Sequence, residues 1–316
     1  MIRYLLLWIS SVFIWAAPML QPTAYIDING TVKDMVLRGS NIIVATDMGH
    51  IEIWDSTTVK KVDEISIPNV KDFMGDEMPA RVMSTDSIDG KYLLLSDSGK
   101  GGYSNLHIYD GKLHQILSAK DKEAIIKARF VDSTHILLGY LSNEVALLDL
   151  TTQHELYRVQ LSESKFSDFA LNEDRSKVVF ACESGVLNLV ETKSGKIIRE
   201  LKGQNVDNVY KVAYSNGAIS GAGQDRRGSI YSAKNGRGEY ISGSFLIYAT
   251  ALSPSAHIVA FAMDEQNNIS IYNTLTKSKI ALLKGQKSTL NVIVFQSEDK
   301  IFSSSDDSTI MVWNLN

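Results

Sequence analysis

A short hydrophobic unit recurs seven times along the chain at nearly even spacing. Each copy is an apolar run that ends in an aromatic or aliphatic residue followed by a short polar one. The units are Ile51–Asp55, Leu106–Asp110, Val145–Asp149, Val186–Glu191, Ser229–Ser232, Ile269–Asn273 and Ile310–Asn314. The last residues of successive units are 55, 39, 42, 41, 41 and 41 positions apart. A repeat of about 40–45 residues is typical of four-stranded propeller blades, so the sequence predicts an all-β, seven-bladed β-propeller over residues 23–316.

The runs on either side of each unit supply the other strands of a blade. Two strand-like runs with a turn between them precede each unit, as in 250–261, where Ser253-Pro254-Ser255 marks the turn. A fourth, more polar run follows, such as Ile197–Leu201, as suits the outer edge of a blade. Neighbouring blades cover both faces of each sheet, so the inner strands need not alternate strictly between apolar and polar residues.

The two ends of the repeat predict how the ring closes. Asn316 follows directly after the third strand of the seventh unit, so this blade lacks one strand. The segment Ala24–Ile28 alternates apolar and polar residues and is the only spare strand. We therefore expect the N-terminal strand to complete the last blade and to remove the exposed edges of an open sheet.

The last blade resembles the WD-repeat propellers in the stretch Ser305–Asn314. Elsewhere the match is weaker. Only the first copy contains Trp-Asp, and the Gly-His pair of the family is replaced by Gly203-Gln204 and Gly285-Gln286. We therefore expect these blades to depend on packing rather than on the side-chain network that the histidine anchors in the family.

The first residues differ from the rest of the chain. Arg3 is the only charge before a largely apolar run, Tyr4–Trp15, which is too short to cross a bilayer comfortably. This pattern predicts a signal peptide over residues 1–17, cut at the small pair Ala16-Ala17, and a periplasmic location without stable membrane insertion. An uncleaved anchor is the alternative interpretation.

Composition and motifs argue against most chemistry. The net charge of −4, with no long run of like charge, does not favour nucleic acid as a partner. Cys182 is the only cysteine, lies in an apolar run and is interpreted as a buried hydrophobe. The six histidines are scattered along the chain, so no metal site is formed by neighbouring residues. The alternative is a metal site on the ring axis to which several blades each contribute one ligand.

Two glycine-rich stretches and an acidic pair are interpreted as turns. A phosphate-binding loop leads from a strand into a helix, whereas Ser98–Tyr103 and Gly221–Gly228 join two predicted strands. Asp306-Asp307 likewise belongs to a strand-joining turn. The sequence therefore predicts neither catalytic residues nor a resident cofactor or metal.

The longest interval between units contains two insertions. They are Pro68–Pro79, before the second blade, and Asp97–Ser104, inside it. Both connection types emerge on one face of a propeller, so the insertions should lie side by side, and long loops on a rigid scaffold often bind partners. The predicted partner-binding residues, which include two arginines on the same face, are Phe73, Met74, Met78, Tyr103, Arg226 and Arg227. The alternatives are local packing for the apolar residues and a solvated turn for the arginines.

The segments Val70–Asp76 and Lys91–Ser96, together with the export signal, resemble the NapL-type accessory proteins of periplasmic nitrate reductase systems. The resemblance implies a non-catalytic periplasmic helper, and we expect the propeller to be a monomer. It would assist assembly of, or electron transfer to, a nitrate reductase by binding its subunits or maturation factors. A propeller enzyme or electron carrier with a metal or quinone in the central channel is the alternative.

Overall fold

The computed structural model describes residues 17–316, which form six four-stranded sheets, one five-stranded sheet, a two-stranded hairpin and almost no helix. The one helical element is a 3₁₀ turn, Ala119–Asp121, and no helix of the described part of the chain is long and apolar enough to cross a bilayer. Residues 1–16 of the predicted signal peptide lie outside the described residues.

Each blade contains four antiparallel strands, called a to d from the central channel outwards. Blade 1 contains β3 (Val32–Arg38), β4 (Asn41–Thr46), β5 (His50–Asp55) and β6 (Lys60–Ser66). Blade 2 contains β9 (Val82–Ile88), β10 (Lys91–Asp97), β11 (Ser104–Tyr109) and β12 (Leu113–Leu117). Blade 3 contains β13 (Ile125–Phe130), β14 (His135–Tyr140), β15 (Glu144–Asp149) and β16 (His154–Gln160). A short hairpin of β7 (Val70–Lys71) and β8 (Glu77–Met78) lies between blades 1 and 2.

The remaining four blades follow the same plan. Their strands are β17 (Phe166–Leu171), β18 (Lys177–Cys182), β19 (Leu187–Glu191), β20 (Ile197–Leu201); β21 (Val209–Ser215), β22 (Ala218–Gly223), β23 (Arg227–Ser232), β24 (Gly238–Ser242); β25 (Thr250–Leu252), β26 (Ile258–Ala262), β27 (Ile269–Asn273), β28 (Lys279–Leu283); and β29 (Leu290–Phe295), β30 (Lys300–Ser305), β31 (Thr309–Asn314) with β2 (Ala24–Asp27). Each a strand contacts the a strand of the next blade, and β29 contacts β3, so the ring is closed. The predicted seven-bladed propeller is confirmed.

The N-terminal segment completes blade 7 as expected. Strand β2 pairs antiparallel with β31, with Ile26 opposite Ile310, and the side chains of Ile26 and Ile28 are buried. A second contact was not predicted: β1 (Met19–Leu20) pairs parallel with β28, the outer strand of blade 6. The N-terminal segment therefore ties blades 6 and 7 together before the chain enters blade 1.

The hydrophobic core lies between the blades rather than inside one body. One cluster joins β10 and β11 of blade 2 to blade 3, and another joins β2, β30 and β31 to blade 1. The b and c strands are buried because neighbouring sheets cover both of their faces. The d strands β6 and β16 carry exposed polar residues, as the sequence predicts.

Blade 7 contains a side-chain network, although Gln286 stands where the WD-repeat family has a histidine. Gln286 donates to the Ser303 hydroxyl over 2.7 Å and accepts from Ser305 over 2.9 Å. The indole of the buried Trp313 also donates to Ser303, over 2.8 Å. The expectation that packing alone replaces the network is therefore wrong for this blade, because a glutamine amide can donate and accept at once.

Candidate docking surface

Two connection types, from strand d to the next strand a and from b to c, meet on one face of the ring. The Ile67 amide donates to the Gly49 carbonyl over 2.9 Å, which joins the two connections at blade 1. At blade 2 the Asp97 amide donates to the Arg81 carbonyl over 3.1 Å and joins the two connections in the same way. We call this face the loop face. Both predicted insertions lie on it.

The first insertion is a hairpin whose tip is ordered by one aspartate. Strands β7 and β8 pair Val70 with Met78, and Asp72 begins the turn between them. The Asp72 carboxylate accepts the amides of Met74, over 2.8 Å, and Asp76, over 2.9 Å. The tip therefore has a defined backbone conformation rather than the freedom of an open loop.

The apolar side chains of the hairpin divide into two groups. Phe73 is 93% exposed and Met74 is 73% exposed at the tip. At the base, Val70 is buried and Met78 packs against the hydrophobic cluster of blades 1 and 2. Local packing, the alternative interpretation, therefore holds for the base of the hairpin, whereas the two side chains at the tip are exposed to solvent.

The second insertion supports the first, as the sequence predicts. A Cβ atom added to Gly99 would lie 2.3 Å from the carbonyl oxygen of Lys71 and 3.3 Å from Cβ of Val70. The two backbones thus approach more closely than any side chain would allow. Tyr103 is half-buried and its ring lies over Gly101 in the same loop.

Substitution of Gly99 tests this contact. Gly99→Ala should displace the hairpin and destabilise the protein by more than the about 1 kcal/mol expected for a left-handed backbone alone. Gly102→Ala is the matched control, because Gly102 also has a positive φ of +73° but no atom within 4 Å of the added Cβ. Hydrogen exchange at the amide of Asp72, which donates to Asp76, reports whether the hairpin has opened. Equal destabilisation and equal exchange in the two variants would contradict the close approach.

The predicted arginines lie elsewhere on the loop face. Both belong to blade 5, which blades 3 and 4 separate from blade 2, so the ring does not bring them to the hairpin. The guanidinium of Arg227 stacks on Tyr240 at 4.5 Å and donates to the Gln204 carbonyl over 3.3 Å. Arg226 is exposed in the turn. Arg227 is therefore engaged within its own blade, and only Arg226 presents its side chain fully to solvent.

Buried acidic and basic residues on the inner strands form a network that the sequence did not reveal. Asp34 in blade 1 accepts the Thr85 amide of blade 2 over 2.9 Å and pairs with Arg129 of blade 3 at 2.8 Å. Asp168 in blade 4 pairs with Lys127 of blade 3 at 2.6 Å and accepts the Val212 amide of blade 5 over 3.1 Å. Each carboxylate thus joins three consecutive blades.

The electrostatics of this network shift two pKa values strongly. Burial alone would raise the pKa of Asp34, but the charges of Arg129 and Lys127 and the Thr85 amide outweigh burial and lower it to about 2. Burial lowers the pKa of Lys127 to about 8, although Asp168 opposes the change. Asp34 is therefore ionised at neutral pH and holds the inner ring electrostatically.

A further cluster contains His50, Glu52 and Glu64 in blade 1, whose ligand atoms lie within 4.8 Å of one another. Register explains the cluster, since Glu52 lies opposite Glu64 across β5 and β6, which the sequence does not show. Lys61 donates to both carboxylates, over 3.0 and 2.6 Å, and occupies the position of a cation. The Asn29 amide and the Trp54 indole also donate to Glu52. In this structure the cluster is an ion-pair network that fixes the link from β2 into blade 1.

The single cysteine is buried, as predicted, with its sulfur 3.1 Å from the Ser184 hydroxyl.

No protein-family model and no curated protein matches the chain.

Proposed function

We propose that this propeller is a non-catalytic, periplasmic binding platform that docks a protein partner through the tip of the β7–β8 hairpin. The exposure of Phe73 and Met74 on an ordered tip carries the proposal. Large apolar side chains that stand in water gain free energy when a partner covers them, by about 1.5–3 kcal/mol for each one fully buried. An ordered tip also loses little conformational entropy on binding.

The charges around the tip indicate the character of the partner surface. Asp76 and Glu77 are exposed beside Phe73 and Met74. Lys71, which lies opposite Glu77, and Lys100 of the adjacent loop are exposed as well. A complementary surface would therefore offer an apolar socket with charges of both signs at its rim, because buried interface centres are apolar and charges complement each other at the rim. The half-buried Tyr103 in the adjacent loop would extend the contact.

The resemblance to the NapL-type accessory proteins suggests which partner to test. We propose a subunit or maturation factor of a periplasmic nitrate reductase, with the propeller assisting assembly or electron delivery. The propeller fold is compatible with this role, since it offers a rigid support for loops on one face.

Capture of partners from a periplasmic extract tests both parts of the proposal. The wild-type protein should recover nitrate reductase subunits, and Phe73→Ser with Met74→Ser should lower the recovery at least tenfold, which corresponds to about 1.4 kcal/mol. Adding Tyr103→Ser should lower it further. Both tip side chains are exposed, so the melting temperature of the double variant should stay near that of the wild type.

Leu275→Ser is the matched control for this experiment. Leu275 is 86% exposed in the turn between β27 and β28, on the face opposite the hairpin, and its replacement should leave recovery unchanged. Equal recovery with the tip variant would remove the hairpin as the site. Absence of nitrate reductase subunits from the wild-type capture would contradict the proposed partner.

A further inference from the structure

The central channel contains a cavity of about 590 Å³. It is lined by the a strands of blades 1 and 3 to 7 and by a–b turns that include Glu173 and Pro254. Those turns lie at the ends of the strands opposite the loop face, so the cavity is separate from the hairpin. Its volume falls within the range of about 300–1,000 Å³ that is usual for sites of small molecules.

One side of the cavity is charged. Its lining contains five cationic side chains and three carboxylates: Arg38, Lys127, Arg129, Arg175, Lys211, Asp34, Asp168 and Glu173. A fourth carboxylate, Asp86, is fully buried behind the wall and pairs with Arg38 at 2.7 Å and Arg175 at 3.5 Å. The wall therefore has one positive charge more than its carboxylates balance.

Lys211 of blade 5 differs from the other four cations because it makes no direct ion pair. Arg129 pairs with Asp34 and Lys127 pairs with Asp168, whereas Lys211 has no carboxylate oxygen within 4 Å in the described part of the chain. Asp168 is the nearby carboxylate whose charge acts on Lys211, and its two oxygens also accept from Lys127 and from the Val212 amide. Glu173 accepts the Asn216 amide at the rim. Lys211 is therefore the one cation of the wall without a direct ion pair in the described residues, although the charge of Asp168 acts on it through space.

The opposite side of the cavity is apolar. At the positions that correspond to Lys211, blades 6 and 7 have Ala249 and Val292, and the wall continues through Ala251 and Val294. Small aliphatic side chains leave space there and offer no hydrogen bonds. Thr250 and Asn291 of these blades also line the cavity, but the Thr250 hydroxyl is hydrogen-bonded to Ser220, and the Asn291 amide nitrogen to the Val32 carbonyl and to Asp306. The cavity is thus two-sided, with a cationic wall facing an aliphatic one.

We propose that the channel binds a small organic monoanion, a carboxylate on an apolar body. The carboxylate would pair with Lys211, and the apolar body would lie against blades 6 and 7. A single cation without a direct ion pair matches a monoanion better than a dianion. The aliphatic wall favours an organic acid over an inorganic ion, which has no apolar surface to bury there. The inference goes beyond the docking function, because it concerns another site with another class of ligand.

Calorimetric titration with phenylacetate and octanoate tests the proposal. We expect saturable binding of at least one of these carboxylates to the wild-type protein, with an affinity at least tenfold lower in Lys211→Gln and restored to within a few-fold in Lys211→Arg. Phenylacetamide, which has the same body without the charge, should bind at least tenfold more weakly than phenylacetate. Melting temperatures of both variants establish that they are folded.

Lys193→Gln is the control, because Lys193 is an exposed lysine in the turn between β19 and β20 and should not affect binding. Equal affinity of wild type and Lys211→Gln would overturn the assignment of the site. Inorganic sulfate that binds as tightly as phenylacetate would show a simple anion site and would overturn the organic ligand. Absence of binding by both carboxylates at tens of millimolar would overturn the proposal, and none of these outcomes depends on the hairpin.

Discussion

Deletion of residues 24–28 should lower the melting temperature of the propeller by at least about 10 °C. The deletion removes β2 and with it the pairing of Ala24 to Asp27 with β31. Ile26 and Ile28 are both buried, and each loses about 1.5–3 kcal/mol of burial free energy. In addition, β31 becomes an open edge with unpaired amides and carbonyls, which favours aggregation.

Point variants on the two faces of β2 test whether the buried side chains of the strand, rather than its backbone pairing alone, stabilise the ring. Ile26→Asp places a charge in the cluster that joins blades 7 and 1 and should approach the effect of the deletion. Tyr25 is 59% exposed on the other face of the strand, so Tyr25→Thr should change the melting temperature little. If the deletion leaves the thermal melt unchanged, β2 does not close the ring in solution.

Replacement of Arg129 by methionine should destabilise the protein by about 3–5 kcal/mol at neutral pH. The variant leaves the carboxylate of Asp34 buried without its ionic partner, and it also removes donors to Ser84 and to the Ala128 carbonyl. Arg237→Met is the control, because Arg237 is exposed in the turn before β24. Urea denaturation of both variants measures the difference.

The same pair predicts the pH dependence of this difference. The pKa of Asp34 is lowered from its ordinary 3.8 to about 2, so ionised Asp34 contributes stability above pH 3.8, and this contribution is lost as the pH falls towards 2. The difference between wild type and Arg129→Met should therefore shrink between pH 4 and pH 2. A difference that stays constant over this range would show that Arg129 acts only through packing.

A double variant checks the cause of the loss. Asp34→Leu with Arg129→Met removes both charges and leaves none unpaired, so it should recover much of the stability that Arg129→Met loses. If the double variant is no more stable than the single one, the hydrogen bonds of Asp34 to the backbone matter more than its charge.

Local pattern was sufficient for the architecture of the chain. Spacing of the hydrophobic units predicted seven blades, and the alternation in Ala24–Ile28 predicted the closing strand, because each is a property of consecutive residues. The pairing of Met19–Leu20 with β28 was missed, since two residues carry no periodicity. The polar network of Gln286 was also missed, because its partners Ser303 and Trp313 lie on other strands.

The sequence also predicted only part of the candidate sites. The place of both insertions was predicted from the longest interval between units, and their proximity followed from propeller topology. The sequence did not predict which apolar residues of the hairpin face solvent. Phe73 and Met78 are both apolar residues of one loop, and only the packing of the neighbouring blades leaves the first exposed and covers the second. The pairing of Lys127 with Asp168 joins residues about 40 positions apart, so the sequence did not predict it. For the same reason the sequence did not show that Lys211 makes no direct ion pair.

Residue spacing and hydrophobic pattern thus predict the number of blades and identify the strand that closes the ring, because both are properties of consecutive residues. Only the closed ring decides which charges are neutralised and which apolar side chains remain in water. Neutralisation and burial depend on distances between blades, and those distances are set when all seven sheets pack against one another.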